Sequence, residues 1–141
     1  ILATPTDLLS TLESAGGIKR IFFPADSGAT WIRIMEVKSN MTCSFMMNMI
    51  CYANQDASII VGYVVNYDNK VQICNFKQLI GKAGEVYNPN LKYKKDGSTI
   101  IVWAKSSAIN NKASCINLLH GNASFPMIIE IPPEDAIQPT W

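Results

Sequence analysis

Apolar and polar residues alternate along most of this chain with a period of two, the signature of strands that bury one face. Residues 41–52 show it best. Met41, Cys43, Phe45, Met47, Met49 and Cys51 form a wholly apolar set, while Thr42, Ser44, Met46, Asn48, Ile50 and Tyr52 between them are mixed. Comparable runs at Lys19–Phe23, Trp31–Lys38, Ala57–Val65, Lys70–Phe76, Leu91–Lys95, Ser98–Lys105, Ala113–Leu119 and Met127–Ile131 predict further strands. Turn-forming residues separate them: Asp26-Ser27-Gly28-Ala29, Ser39-Asn40, Asn66-Tyr67-Asp68-Asn69 and Asn110-Asn111-Lys112. Asp96-Gly97 is expected to be the central pair of a tight primed turn, with both residues at positive φ. Residues 77–91 are expected to form a longer connection, and Pro132-Pro133 to close the domain.

The start of the chain departs from this period. Thr4 can cap a short helix, Pro5 suits its first position, and Asp7 meets the positive end of its dipole. Leu8, Leu9 and Leu12 give it a narrow apolar stripe, and Gly16-Gly17 stop it. The chain is therefore expected to be all-β: an antiparallel β-sandwich or jelly roll of about eight or nine strands with a short N-terminal helix. Residues 1–18 form a helical lead-in, 19–133 the β-sandwich and 134–141 a C-terminal tail. Ile1 is not an initiator methionine, so the sequence is expected to be part of something longer.

Three predicted strands are apolar on both sides: Ile59-Ile60-Val61, Ile100-Ile101-Val102-Trp103 and Met127-Ile128-Ile129. A sandwich strand needs an apolar core side only, so the outer faces of these strands are expected to be covered as well. Composition points the same way. Charged residues make up 16% of the chain, against roughly 25% in an ordinary soluble domain. A shortage of charge suggests surface hidden against another copy or a larger assembly. The net charge of +1 supplies no basic excess for nucleic acid or an anionic membrane. No apolar run approaches the roughly 18 residues of a membrane span.

Candidate chemistry is sparse. Cys43, Cys51, Cys74 and Cys115 lie within apolar strand patterns and are expected to be free, buried thiols. Four cysteines allow three disulfide pairings, but Cys43 and Cys51 stand roughly 26 Å apart along one strand and cannot join each other. The single histidine, His120, has no nucleophile signature around it and is read as a strand-end residue bonded to a turn. Among the acids, Glu36 and Glu130 interrupt strands and would be the pair to test for glycoside hydrolysis. No loop gathers the oxygens calcium needs, and no glycine pattern has phosphate-loop spacing, so no metal and no cofactor are expected. The chain is read as a binding or assembly module rather than an enzyme. The side chains best suited to a ligand are loop aromatics and amides: Tyr67 with Asp68 and Asn69, Tyr87, and Asn110 with Asn111. An aromatic ring can face a sugar's apolar side while amides and carboxylates take its hydroxyls. Backbone turn geometry accounts equally well for the Asn and Asp residues.

From Thr30 to Ile131 the order of features resembles the C-terminal domains of bacteriophage tail fibres and tailspikes. The resemblance rests on Ala29-Thr30-Trp31-Ile32-Arg33-Ile34, the long apolar strand to Tyr52, the hairpin Leu91 to Lys105, and Pro126-Met127-Ile128-Ile129-Glu130-Ile131. It implies a homotrimeric β-sandwich at a fibre tip, on the virion or otherwise extracellular, that attaches to a host-surface glycan or protein. Neither nucleic acid nor membrane insertion enters that picture. Two other classes stand beside it. One is a purely structural assembly knob; the other is an accessory carbohydrate-binding module or glycan hydrolase.

Overall fold

The computed structural model describes residues 19–24, 30–51, 56–68, 70–81, 90–105 and 114–139. The expected helix at Thr4–Glu13 and the turn at Asp26–Ala29 lie outside them. Nine strands pack as two antiparallel sheets: β1 (Lys19–Phe22), β2 (Trp31–Val37), β3 (Met41–Cys51), β4 (Asp56–Tyr67), β5 (Val71–Ile80), β6 (Asn90–Asp96), β7 (Thr99–Lys105), β8 (Cys115–Gly121) and β9 (Ile128–Ile129). The larger sheet runs β1-β8-β3-β4-β5 and the smaller β6-β7-β2-β9. The chain is thus the expected all-β sandwich.

Its core is the inward set that the alternation picked out. Cys43, Phe45, Met47 and Met49 of β3 meet Ile32, Ile34, Met35 and Val37 of β2 and Ile100, Val102 and Ala104 of β7. The long β3–β4 hairpin keeps strict register from Met41↔Asn66 to Cys51↔Asp56, so Cys43, Phe45, Met47 and Met49 all stay inward. Cys43, Cys74 and Cys115 are free. Burial pushes the thiols of Cys43 and Cys74 up to about 11, which keeps both protonated and unreactive at neutral pH.

Gly62 opens the core at one point. It lies between Phe45 and Phe76 in register across β3, β4 and β5. The two rings lean over the space a side chain would fill, with centroids 5.9 Å apart. A Cβ on Gly62 would come within 2.7 Å of Phe76 and 2.8 Å of Phe45. Tyr93 of the facing sheet stands 5.8 Å from Phe76, so the aromatic row ties the two sheets together.

Several boundaries differ from those the sequence suggested. Asn66 is not a turn residue: it is fully buried at the end of β4, where its amide donates to the carbonyls of Val37 at 2.9 Å and Ser98 at 2.6 Å. A strand-end amide here satisfies backbone carbonyls of the opposite sheet, and the turn moves on to Asp68. The strand β5 continues to Ile80, into the stretch expected to be a connection. In the β6–β7 hairpin Asp96 pairs with Thr99, so the central residues are Gly97 and Ser98, and only Gly97 has positive φ, at 59°. That is the type II′ pattern, which needs glycine at the first central position alone.

The smaller sheet has a cover of its own. After β9 at one edge, the chain reaches the opposite free edge, where Ile137 and Tyr93 exchange backbone hydrogen bonds of 2.9 and 2.7 Å. The sheet is roughly 19 Å wide over that path, within the ~26 Å reach of eight extended residues. Residues 130–137 therefore strap the outer face. Beneath them Trp103 is 1% exposed and Ile101 7%, and Pro132 is buried. The segment read as a polar tail thus contributes backbone pairing at Ile137.

Replacing Gly62 by Val is expected to lower stability by roughly 1–3 kcal/mol through overpacking, read as a lower urea midpoint. Gly62→Ala should fall between Val and wild type.

Candidate binding face

A β-bulge decides how the strap is held. In β2 the register passes from Arg33↔Trp103 to Met35↔Val102, leaving Ile34 without a partner. In a regular strand, residues three apart point to opposite faces. The bulge shifts the phase, so Ile34 and Met35 are both buried while Arg33 and Glu36 share the outer face. There Arg33 grips Glu130 through two hydrogen bonds, Nε to Oε2 at 2.6 Å and Nη2 to Oε1 at 3.0 Å. Its Nη1 donates to Glu36 at 2.8 Å. The Trp103 indole N–H donates to Glu130 at 2.7 Å, and Lys94 pairs with Asp135 further along the strap at 3.2 Å.

Glu36 and Glu130, the two acids singled out as strand interruptions, are thus brought together on one guanidinium. Its hydrogen bond, with help from the Trp103 indole, holds the Glu130 carboxyl below its usual range against the opposing effect of burial. A general acid working at neutral pH needs the opposite shift, so the arrangement suits a fixed anion in a clamp.

The larger sheet has no such strap among the described residues. Its outer face carries Phe22 on β1, Leu119 on β8, Val61, Tyr63, Val65 and Tyr67 on β4, and Val71 and Ile73 on β5. Tyr63 is 43% exposed, Leu119 47% and Tyr67 61%. An open depression of about 310 Å³ lies near its middle, lined by Ser44, Val61, Tyr63, Asn75, Lys77 and Leu119. Register explains how strands distant in sequence build it. Ser44, Tyr63 and Asn75 lie in one row across β3, β4 and β5, and Met46, Val61 and Lys77 in the next. Asn75 donates its amide N–H to the Tyr63 hydroxyl at 3.1 Å, which holds the ring. The bulge between Ser44 and Phe45 sets Leu119 beside them, with His120 opposite Ser44.

Of the residues proposed from sequence, Tyr67 lies on this face at the end of β4. Asp68 begins the following turn with φ of 50° and stands 3.5 Å from Lys70. Asn69, Tyr87, Asn110 and Asn111 lie outside the described residues. Tyr63, Asn75 and Lys77, which the loop residues proposed from sequence did not include, stand on strands β4 and β5. Their signal was the outward phase of β4 and β5, where an aromatic, an amide and a cation recur at period two.

No family model matches the chain, and no curated protein matches it. A solved structure that does is WceF of Pantoea stewartii, described as a glycan biofilm modifying enzyme with a bacteriophage tailspike-like parallel β-helix fold. The superposition has a TM-score of 0.56 at 8% identity and takes in 84% of this chain but 21% of that one. The chain therefore spans about a fifth of that protein's length. All pairings between the strands described here are antiparallel, so what the two share is a sandwich-sized portion and not a β-helix.

Glu130→Gln should destabilise the fold by about 1–2 kcal/mol at neutral pH, the worth of a partly exposed charged hydrogen bond. A depressed native pKa stabilises the fold above the ordinary glutamate value and loses that contribution as pH falls through the native one. The gap between wild type and variant, followed by urea denaturation, should accordingly close below pH 4.5.

Proposed function

We propose that this chain is a contact domain of a phage-type tail fibre or tailspike, one that binds a host-surface glycan or protein and assembles as a homo-oligomer. The observation that carries this reading is the contrast between the two outer faces. The chain covers the smaller sheet with its own strap, yet leaves on the larger sheet a broad apolar surface with a depression at its centre. A large exposed apolar patch on a soluble domain marks a place of interaction. Tyr63 and the Asn75 amide supply the aromatic ring and polar groups that sugar recognition uses, and the likeness to part of a tailspike-like, glycan-modifying protein agrees with that use.

A specific feature favours contact between copies as well. Ile128 and Ile129 on the edge strand β9, and Ile131 beyond it, are 57%, 59% and 83% exposed. Three large apolar side chains standing in water at a sheet edge mark a place of contact, and packing against another protomer would bury them. The trimer of the fibre reading is built through this edge, leaving the larger sheet outward for the host. A purely structural knob would make the protomer contacts alone.

Light scattering at micromolar concentration should give a homo-oligomer, and Ile129→Lys together with Ile131→Lys should shift it to monomer without lowering the β-content seen by circular dichroism. In a host-cell adsorption assay the assembled domain should bind, with Tyr63→Ala reducing adsorption roughly tenfold, the loss of one stacking platform. A stable wild-type monomer would remove the oligomer; adsorption untouched by changes on the larger sheet would remove the receptor face.

A further inference from the structure

Charge divides unevenly between the two sheets, and the near-neutral total conceals it. The strands β1, β3, β5 and β8 contain no Asp or Glu, and the single acid of β4 is Asp56 at its first position. Glu36, Glu130 and Asp135, by contrast, lie on the smaller sheet and its strap, engaged with Arg33 and Lys94. Among the described strand residues, the cations on the outer face of the larger sheet are Arg20 and Lys77.

Register puts both in one row. Arg20 lies opposite Asn117, Asn117 opposite Met46, Met46 opposite Val61, and Val61 opposite Lys77. The row crosses all five strands, with a cation at each end about 19 Å apart and apolar or amide side chains between. Asn117 accepts a hydrogen bond from Arg20 Nε at 3.0 Å, which orients the guanidinium, and among the described residues no carboxylate pairs with its terminal amino groups. At the other end Lys77 lines the depression, and no described carboxylate pairs with it.

We infer that this face takes an acidic polysaccharide, lying across the strands with its sugar rings on Tyr63 and Val61 and its carboxylates at Lys77 and Arg20. The inference rests on the reading of the face as a glycan contact and adds the class of glycan. An extended, flat, largely apolar surface suits the ring faces of a sugar chain. Two widely separated cations suit a polymer whose negative charges are spaced along it. Nucleic acid demands a denser array of positive charge than two groups. A second copy of the same cationic face would bring like charges together, which disfavours it as the occupant.

The test is fluorescence anisotropy with labelled polyuronate and polysialate oligosaccharides, against a neutral maltooligosaccharide and a single-stranded thymidine oligomer of equal length. At low salt an acidic sugar should bind while the neutral one does not, with affinity falling as ionic strength rises toward about 0.15 M. Lys77→Gln and Arg20→Gln should each weaken binding roughly two- to fivefold, as exposed ion pairs do, while Lys77→Arg retains it. Thermal melting checks that each variant is folded. Equal binding of the neutral sugar, unaffected by Lys77→Gln, would overturn the acidic class and leave the glycan reading standing. Failure of every sugar would overturn both. Equally tight binding of the thymidine oligomer, or protection of Lys77 from acetylation within a wild-type oligomer, would assign the face to a generic polyanion or to another protomer.

Discussion

The grip of Arg33 on Glu130 is the constraint on which the two-faced character of this molecule depends. It anchors the strap that crosses the smaller sheet, and Trp103 beneath donates its indole N–H to the same carboxylate. Without that acceptor, a large aromatic side chain 1% exposed would hold an unsatisfied donor, and a buried donor left unpaired costs roughly 1–3 kcal/mol. The bulge at Ile34 makes the grip possible, because it alone turns Glu36 to the side where Arg33 stands. One extra residue in one strand thereby sets which acids meet, which tryptophan is covered, and where the chain runs after β9.

Closing one face has a consequence for the other. The larger sheet is wider than its partner, and no described segment crosses it. Tyr63, Asn75, Arg20 and Lys77 remain exposed on its outer side, while Asn117, within the Arg20–Lys77 row, is buried. Glu36, Glu130 and Asp135 lie on the opposite side, engaged with Arg33 and Lys94. Covering one sheet and engaging the acids there is what leaves the other sheet apolar, faintly cationic and open, the combination from which its role as a contact surface is proposed.

The core that supports these faces is tuned by close approach. Phe45 and Phe76 can occupy the middle of the larger sheet because Gly62 between them has no side chain, and Tyr93 completes the row from the other sheet. Asn66 performs the corresponding task at one end of the sandwich, where its amide joins a carbonyl of β2 to one in the β6–β7 turn. An aromatic row and a buried amide fix the relation of two sheets that would otherwise be joined by non-directional apolar contact.

Much of this was legible in the chain. Alternation over residues 41–52 predicted β3 and its inward face, because the side-chain period of a strand is a local property fixed by backbone geometry. Apolar residues on both sides of β7 announced a covered outer face, since Ile101 and Trp103 would otherwise have stood in water. What the sequence withheld was everything set by pairing between distant segments. The burial of Asn66, the bulge at Ile34, the meeting of Glu36 with Glu130, and the row from Arg20 to Lys77 each depend on register. The alternation fixes which face each strand buries, but which distant strands come to lie side by side is a long-range outcome. The sequence by itself determined that this protein is made of strands with an apolar core; only the tertiary structure decided which face the chain would close and which it would leave for contact.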